Sequence, residues 1–182
     1  MRNEFKLETP RLTLREIRME DGDAILSAMS CPDIHSMHSD GFKTIEDVND
    51  YISVLEKEYE NKKFRTLAVA EKISDLLVGA ITIDAHKFFP RAELSYWTAI
   101  PHRSKGYATE AVKAVIEYCI MTLNFGRVQA THHVENAASG RVLEKAGMVC
   151  EGTLRRYFEF NGFATDEKMY SAIRSDITEK PK

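Results

Sequence analysis

The sequence has few cysteines, and their arrangement indicates no cross-link. Cys31, Cys119 and Cys150 are odd in number and widely spaced, and no Cys-x-x-Cys pair occurs. Neither a disulfide framework nor a structural zinc site is therefore expected. Cys119 falls on the apolar face of a predicted helix, where we expect it to fill space in the core.

Long apolar runs and an excess of positive charge are also lacking. No stretch of about 18 apolar residues occurs, so we expect no membrane-spanning helix. The first four residues are polar, which gives no sign of a signal segment. The 25 Lys and Arg residues against 28 Asp and Glu give a net charge of −3. Without a basic face the protein is not expected to bind nucleic acid. A cytoplasmic location is the expectation.

The six histidines form no metal-binding pattern. His132 and His133 are adjacent, and neighbouring residues on a strand point to opposite faces of the sheet. The remaining histidines show none of the spacings typical of zinc ligands. We therefore expect no metal. The other four are His35, His38, His86 and His102.

The length and composition favour one globular domain. The chain has 182 residues, of which 43% are hydrophobic and 29% charged, as in ordinary soluble domains. We predict a single domain over residues 1–182, with a frayed tail over residues 177–182. The order of the elements predicts a mixed sheet with helices on both faces. The predicted strands cover 11–15, 65–70, 76–84, 93–100, 127–131, 148–160 and 163–173, and helices follow Asp21, Thr44, Ala108 and Asn136.

Local signals add detail to these elements. Thr44 and Asp47 predict a capping box at the start of the second helix. The last helix is predicted over 137–145, and 30–43 is predicted to be a loop. Asn161-Gly162 predicts a hairpin turn, and Gly79 indicates a bulge or a close contact in its strand. The apolar stripe of the second helix is predicted to be Val48, Ile52, Leu55 and Tyr59.

The centre of this pattern is a strand, a turn and a helix. The strand residues up to Ile100 are mostly β-branched or aromatic, and Pro101 ends the strand. From Ala108 the apolar residues have helical spacing. Gly106 permits close approach to a ligand, and the first N–H groups of a helix attract anions. The turn is therefore either a pyrophosphate cradle or an ordinary connection with one glycine.

The turn resembles the acetyl-CoA motif of the GNAT N-acetyltransferase superfamily, with Arg103, Gly106 and Ala108 in its three fixed places. The segments 7–15 and 136–148 resemble the RimJ/RimL-like branch of that superfamily. The resemblance implies a GNAT fold: a mostly antiparallel, twisted central sheet whose central strands splay apart around acetyl-CoA. It implies that acetyl-CoA, the co-substrate, is bound by Thr98, Ala99, Ile100, Arg103, Ser104, Lys105, Gly106, Tyr107, Ala108, Thr109, Asn136 and Ser139.

Two residues are candidates for the chemistry of acyl transfer from a thioester to an amine. Glu93 begins the central strand and could take the proton of the amine, or it could be an exposed strand-end carboxylate. The resemblance implies that Ser139 can protonate the leaving thiolate, although Ser is also common in the first turn of a helix. Because many GNAT enzymes use a tyrosine, rival acids are Tyr96, Tyr157 and Tyr170.

Three other positions near these motifs have open interpretations. The RimJ/RimL-like branch more often has glycine where this sequence has Ser104. A serine there costs little at negative φ and is unfavourable at positive φ. Arg141 and Lys145 have i, i+4 spacing on the helix after Asn136. They could reach a nucleotide phosphate or form a solvated face.

The acceptor is expected to be a primary amine. An α-amine with a pKa of about 7.7–8.0 is roughly one-tenth neutral at pH 7, whereas a lysine near 10.4 is far less so. A modest base would therefore suit a protein N-terminus, as the RimJ/RimL resemblance implies. By analogy with the family, segment 30–63 lines the acceptor site, and it contains Asp33, Asp40, Glu46, Asp47 and Asp50.

Other functions remain open at this stage. The acceptor could instead be a small amine such as an amino acid, a polyamine or an antibiotic. A non-catalytic acetyl-CoA sensor would keep the same fold. A general nucleotide-binding protein is disfavoured, because the turn lacks a Gly-x-x-x-x-Gly-Lys-Ser/Thr string. An exposed sheet edge could pair in a homodimer, but no residue requires it.

Overall fold

The computed structural model describes residues 4–30, 42–61, 64–160 and 163–178. Its eight strands form one open sheet in the order β1-β2-β3-β4-β5-β6-β8-β7. They are β1 Lys6–Glu8, β2 Leu12–Glu16, β3 Phe64–Glu71, β4 Leu77–Ala85, β5 Arg91–Thr98, β6 Arg127–His133, β7 Val149–Phe160 and β8 Phe163–Ile173. The helices are α1 Gly22–Met29, α2 Ile45–Asn61, α3 Tyr107–Glu117, α4 Ala137–Lys145 and α5 Arg174–Thr178. The predicted mixed α/β fold is confirmed.

The chain divides into two compact units. The first comprises Met1–Thr82 with Tyr96–Ala108, and the second comprises Ile83–Ser95 with Thr109–Lys182. Strands β4 and β5 each contribute residues to both units. The prediction of a single domain over residues 1–182 stays a prediction.

In the first unit two helices pack on antiparallel strands. β2 pairs with β1 on one side and with β3 on the other, with Leu14 opposite Val69. The apolar stripe predicted for α2 is buried, because Val48, Ile52, Leu55 and Tyr59 belong to the core cluster. The rest of that cluster is Ile17, Ile25, Ala68, Leu77 and Ala80.

The start of α2 is fixed by the predicted capping box. The Asp47 N–H donates to Thr44 Oγ1 at 3.2 Å, and Asp47 Oδ2 accepts the N–H groups of Lys43 and Thr44 at 2.9 Å each. These backbone bonds, that from Lys43 first, lower the pKa of Asp47. The Asp variant of the box therefore satisfies the same unpaired donors as the usual Glu.

Arg15 forms a buried ion-pair network in the first unit. Its guanidinium donates to both carboxylate oxygens of Asp21, at 2.8 and 2.9 Å, and its Nε donates to Asp75 at 2.9 Å. Arg15 and Asp21 are almost fully buried, and a paired geometry of this kind is what a buried charge requires. The last residue of the 7–15 motif is therefore used to hold the fold.

In the second unit β6 and β7 pair antiparallel with β8. β5 pairs in parallel with β6 through Arg91, Ala92 and Glu93, opposite 127–129, and within the described strands the register contains no further pair. Burial raises the pKa of the Cys119 thiol to about 12, and its side chain is fully buried, as predicted for core filler. The other buried apolar residues include Val112, Val115, Ile116, Ile120, Val128, Ala130 and Leu143.

Some elements differ from the sequence expectations. Strand β1 and helix α5 were not predicted, because three and five residues are too short to show a period. Ile177 and Thr178, expected in the frayed tail, end α5, and residues 179–182 lie outside the described residues.

Other expectations fall on residues that are not described. The loop predicted over 30–43 falls largely in 31–41, and the hairpin turn Asn161-Gly162 also lies outside the described residues. Phe160 pairs with Phe163 across that turn. In the described part of the chain, no helix has the length and apolar character that a membrane span needs.

Candidate active site

The strand, turn and helix predicted from the sequence are all present. β5 ends at Thr98, and the next residue, Ala99, donates its N–H to the Val78 carbonyl at 3.0 Å. A 3₁₀ turn follows over Ile100–His102, closed by the Arg103 N–H on the Ile100 carbonyl at 3.2 Å. Helix α3 then begins at Tyr107. The exposed residues Arg103–Gly106, called here the Gly106 loop, connect turn and helix.

The Gly106 loop presents backbone donors. The N–H groups of Ser104, Lys105 and Gly106 make no backbone hydrogen bond within the described residues. The first N–H groups of α3 add to them, because a helix has no internal partner for its first turn. Gly106 has φ +81°, a value that glycine adopts without steric cost. The loop can therefore hold an anion close to its backbone.

Ser104 adopts the conformation that the sequence analysis marked as unfavourable. Its φ is +62°, in the left-handed region. For a non-glycine residue this conformation costs about 1–2 kcal/mol. The Gly106 loop therefore carries local strain at Ser104.

The end of β5 is held by close backbone contacts in the first unit. A Cβ built on Gly79 would lie 2.3 Å from the Trp97 carbonyl oxygen, so only glycine lets β4 pass here. This confirms one of the two readings of Gly79, a close contact. Arg103 Nε donates to the Thr98 carbonyl at 3.2 Å. The Arg103 side chain therefore points back along β5. Arg103 is also the first residue of the Gly106 loop.

Glu93 lies in a hydrogen-bonded network in the second unit. Gln129 Nε2 donates to Glu93 Oε2 at 2.9 Å, and Arg127 Nε donates to Gln129 Oε1 at 3.0 Å. Arg127 also donates to both Glu151 oxygens, at 2.7 and 2.6 Å. The amide of Gln129 is thereby oriented with its N–H₂ towards Glu93. We call these four residues the Glu93 network.

The charges of this network have clear electrostatic consequences. The Arg127 guanidinium, followed by the Ser171 hydroxyl, lowers the pKa of Glu151 to about 2. The negative charge of Glu93 is the first cause of the raised pKa of Tyr157. Tyr157 is half exposed, and its raised pKa keeps the phenol protonated at neutral pH.

Asn136 and Ser139 begin helix α4. Asn136 is the N-cap, and its Oδ1 accepts the Ser139 N–H at 3.1 Å. Both side chains are half-buried. This hydrogen bond shows that Asn136 caps α4. Contact of Asn136 or Ser139 with the cofactor remains a prediction.

The rival tyrosines differ in accessibility. Tyr170 is only 3% exposed, and its hydroxyl donates to Glu144 at 3.2 Å. Burial raises the pKa of Tyr170 to about 12. Tyr96 is half-buried in the first unit. Tyr170 is thus the least suited of the three to give a proton to a ligand.

The remaining candidate residues are the histidines, two basic residues on α4 and the acidic residues of segment 30–63. His132 is buried and His133 is half-buried on opposite faces of β6, as expected. No group of three potential metal ligands occurs among the described residues. Arg141 and Lys145 are exposed on α4, and Glu46 and Asp50 are exposed on α2. Asp33 and Asp40 lie outside the described residues.

A loop with two residues at positive φ that leads from a strand into a helix is a geometry suited to an anionic ligand such as a phosphate. A family model described as an acetyltransferase (GNAT) domain matches residues 11–149. The chain therefore belongs to the GNAT acetyltransferase family. It is an enzyme that transfers the acetyl group of acetyl-CoA to an amine.

Individual relatives agree with this assignment. The uncharacterized N-acetyltransferase YoaA of Bacillus subtilis is 30% identical over 92% of this chain and 96% of its own. A GNAT-family acetyltransferase from Bacillus anthracis has 27% identity and a TM-score of 0.80, over 93% of this chain and 98% of that one. The ribosomal-protein-S5-alanine acetyltransferase from Vibrio fischeri has the same fold, with 22% identity and a TM-score of 0.79 over 97% and 100% of the chains.

Proposed function

We propose that the enzyme acetylates the α-amine of a protein N-terminus, such as that of a ribosomal protein. The observation that carries the proposal is Glu93, a half-buried carboxylate that the Gln129 amide orients at 2.9 Å. A single oriented carboxylate is a modest base. It suits an α-amine, which is already partly neutral near pH 7, better than a lysine side chain.

Acetyl-CoA is assigned to the end of β5, the Gly106 loop and the first turn of α3. The open N–H groups, the positive φ of Gly106 and the charges of Arg103 and Lys105 support diphosphate binding at the loop. The proposed contacts of this group are those predicted from the sequence: Thr98, Ala99, Ile100, Arg103, Ser104, Lys105, Gly106, Tyr107, Ala108, Thr109, Asn136 and Ser139.

In the proposed reaction the amine nitrogen attacks the thioester carbonyl directly, within a ternary complex. Glu93 takes one proton from the nitrogen as the N–C bond forms. The C–S bond then breaks, and the thiolate of coenzyme A receives a proton from the Ser139 hydroxyl. Solvent water returns a proton to Ser139 and accepts the proton held by Glu93. The burial of Tyr170, at 3% exposure, supports Ser139 over that tyrosine.

The role of Ser139 is tested by measuring kcat and the KM for acetyl-CoA separately in a variant. Ser139→Ala should lower kcat several-fold and leave KM for acetyl-CoA nearly unchanged, because an acid acts on the leaving group. Tyr170→Phe is the matched loss of a hydroxyl and should leave kcat within about twofold. A change in KM alone would assign Ser139 to cofactor binding instead.

Several features support a protein acceptor. The segments 7–15 and 136–148 resemble the RimJ/RimL-like branch, and a protein of the same fold is named for acetylation of an alanine of ribosomal protein S5. Exposed Glu46 and Asp50 give α2 an acidic surface, which suits a cationic acceptor of either class. A small-molecule amine would use the same chemistry and is the second candidate.

The acceptor is tested by thiol release from acetyl-CoA across a matched panel. The panel pairs peptides with a free Ala or Ser N-terminus with the same peptides blocked at the N-terminus and carrying one lysine, alongside spermidine and free amino acids. Release with the free peptides alone supports the proposal. Release only with spermidine or amino acids would contradict it, and tight coenzyme A binding without any release would indicate a sensor.

The proposal includes a cytoplasmic location, where ribosomal proteins are made. It also includes a homodimer formed through an edge of the sheet, since β1 and β7 end the strand order. Sedimentation velocity at micromolar concentration tests the dimer. A monomer at all concentrations would remove it without affecting the acceptor assignment.

A further inference from the structure

Arg11, which precedes β2, contacts the Gly106 loop. Its Nη1 donates to the Lys105 carbonyl oxygen at 3.0 Å, and its Cζ lies 4.9 Å from the centre of the Tyr107 ring. A Cβ built on Gly106 would lie 3.4 Å from Arg11 Nη2. One guanidinium therefore lies against three consecutive residues of the loop and the helix start.

The partners of Arg11 are themselves fixed to the end of β3. The Lys72 N–H donates to the Arg11 carbonyl at 2.8 Å. The Tyr107 hydroxyl donates to Glu71 Oε1 at 2.7 Å, and Ser74 Oγ donates to Glu71 Oε2 at 2.9 Å. The bonds from Tyr107 and Ser74 are the main causes of the lowered pKa of Glu71. The Tyr107 ring and the Arg11 backbone are thus held by two neighbouring residues, Glu71 and Lys72, at the end of β3.

The direction of the Arg11 bond determines where a loop donor points. The peptide between Lys105 and Gly106 is trans, since the described chain contains no cis bond. In a planar trans peptide the carbonyl and the N–H point in opposite directions. Because the Lys105 carbonyl is directed to Arg11, the Gly106 N–H is directed away from it, on the side open to a ligand.

We propose that Arg11 is a positioning residue for acetyl-CoA: it holds the Lys105 carbonyl and the Tyr107 ring so that the Gly106 N–H faces the diphosphate. This rests on the proposed binding of the diphosphate at the Gly106 loop. The loop includes two residues at positive φ. Arg11 prearranges it before the ligand binds and so reduces the ordering that binding requires.

The test is calorimetric titration of the full-length chain with coenzyme A. Arg11→Met should weaken binding about tenfold, which corresponds to about 1.4 kcal/mol. Melting of the free protein should change little, because the contacts of Arg11 are exposed. Arg18→Met is the matched control: Arg18 pairs with Glu4 and Asp75, away from the loop, and its loss should leave binding unchanged.

Two further variants separate positioning from charge. Arg11→Lys keeps the charge and loses the planar fork, so its binding should stay weakened at least fivefold. Arg11→Met combined with Ser104→Gly should recover part of the affinity, because glycine reaches the positive φ without a brace. If Arg11→Met does not fold, Arg11→Lys and Tyr107→Leu, which removes the stacked ring, carry the test.

The outcomes distinguish this role from the binding site itself. If Arg11→Met binds coenzyme A as tightly as the wild type, or if Arg11→Lys keeps full affinity, the role of Arg11 is overturned. Binding by the wild-type chain would still support the site at the Gly106 loop. If the wild-type chain failed to bind coenzyme A, the site at the Gly106 loop and the role of Arg11 would both be overturned.

Discussion

The Gly106 loop and the Glu93 network are built in opposite ways. The loop presents backbone N–H groups from consecutive residues, two of which have positive φ. The network uses side chains from three strands, with Arg127 joining Glu151 to Gln129. A backbone site leaves a compact pattern in the sequence, whereas a side-chain network across strands leaves none. The two regions should therefore also fail differently when single residues are changed.

The largest expected effect is on the chemical step, from the Glu93 network. Glu93→Gln should lower kcat at least about 100-fold, because it removes the proposed base. The affinity for coenzyme A should remain within about twofold. Steady-state rates at saturating acetyl-CoA between pH 6 and 9 measure this. Glu117→Gln, an exposed change on α3, is the control, and an unchanged rate and pH profile would end the assignment of Glu93 as base.

A glycine pair tests the loop. Gly106→Ala should weaken coenzyme A binding about tenfold, because alanine at φ +81° costs about 1–2 kcal/mol. Gly126→Ala is matched: Gly126 is also exposed and has no positive φ. It should change the affinity less than twofold. Equal effects of the two changes, measured by calorimetry, would show that the backbone conformation of the loop is not what binds the ligand.

Removal of the orienting amide should have a similar but smaller effect on rate. Gln129→Leu should lower kcat several-fold at pH 7, because the Glu93 carboxylate loses the hydrogen bond that orients it. The affinity for coenzyme A, measured by calorimetry, should not change. Thr131→Val, on the same face of β6, is the control. An unchanged kcat for Gln129→Leu would show that Gln129 does not position the base.

The smallest effect concerns the strain at Ser104. Ser104→Gly should raise the free energy of unfolding by about 0.5–1 kcal/mol, the strain relieved less the flexibility added. For a chain of this size that is a rise in Tm of about 1–4 °C. Lys105→Gly, one residue on and without positive φ, should lower Tm in the same calorimetric scans. A lowered Tm for Ser104→Gly would mean that the serine stabilises the folded loop by more than its positive φ destabilises it.

Local features were predictable from the sequence because each depends on neighbouring residues. The cap formed by Thr44 and Asp47, the bounds of helix Ala137–Lys145 and the turn before α3 were all confirmed. Chain-distant contacts were not predictable. Gln129 and Arg127 carry no spacing signal relative to Glu93. They meet it only because β6 pairs with β5 in one particular register.

The link between Arg11 and Lys105 joins residues 94 positions apart in the chain. A molecule trimmed by a protease before β2, or carrying a bulky fusion there, would still keep α3 and its amides. It would saturate with coenzyme A only at higher concentration. Preparations with an intact and with a trimmed amino terminus should therefore disagree in apparent Michaelis constant while agreeing in maximal turnover.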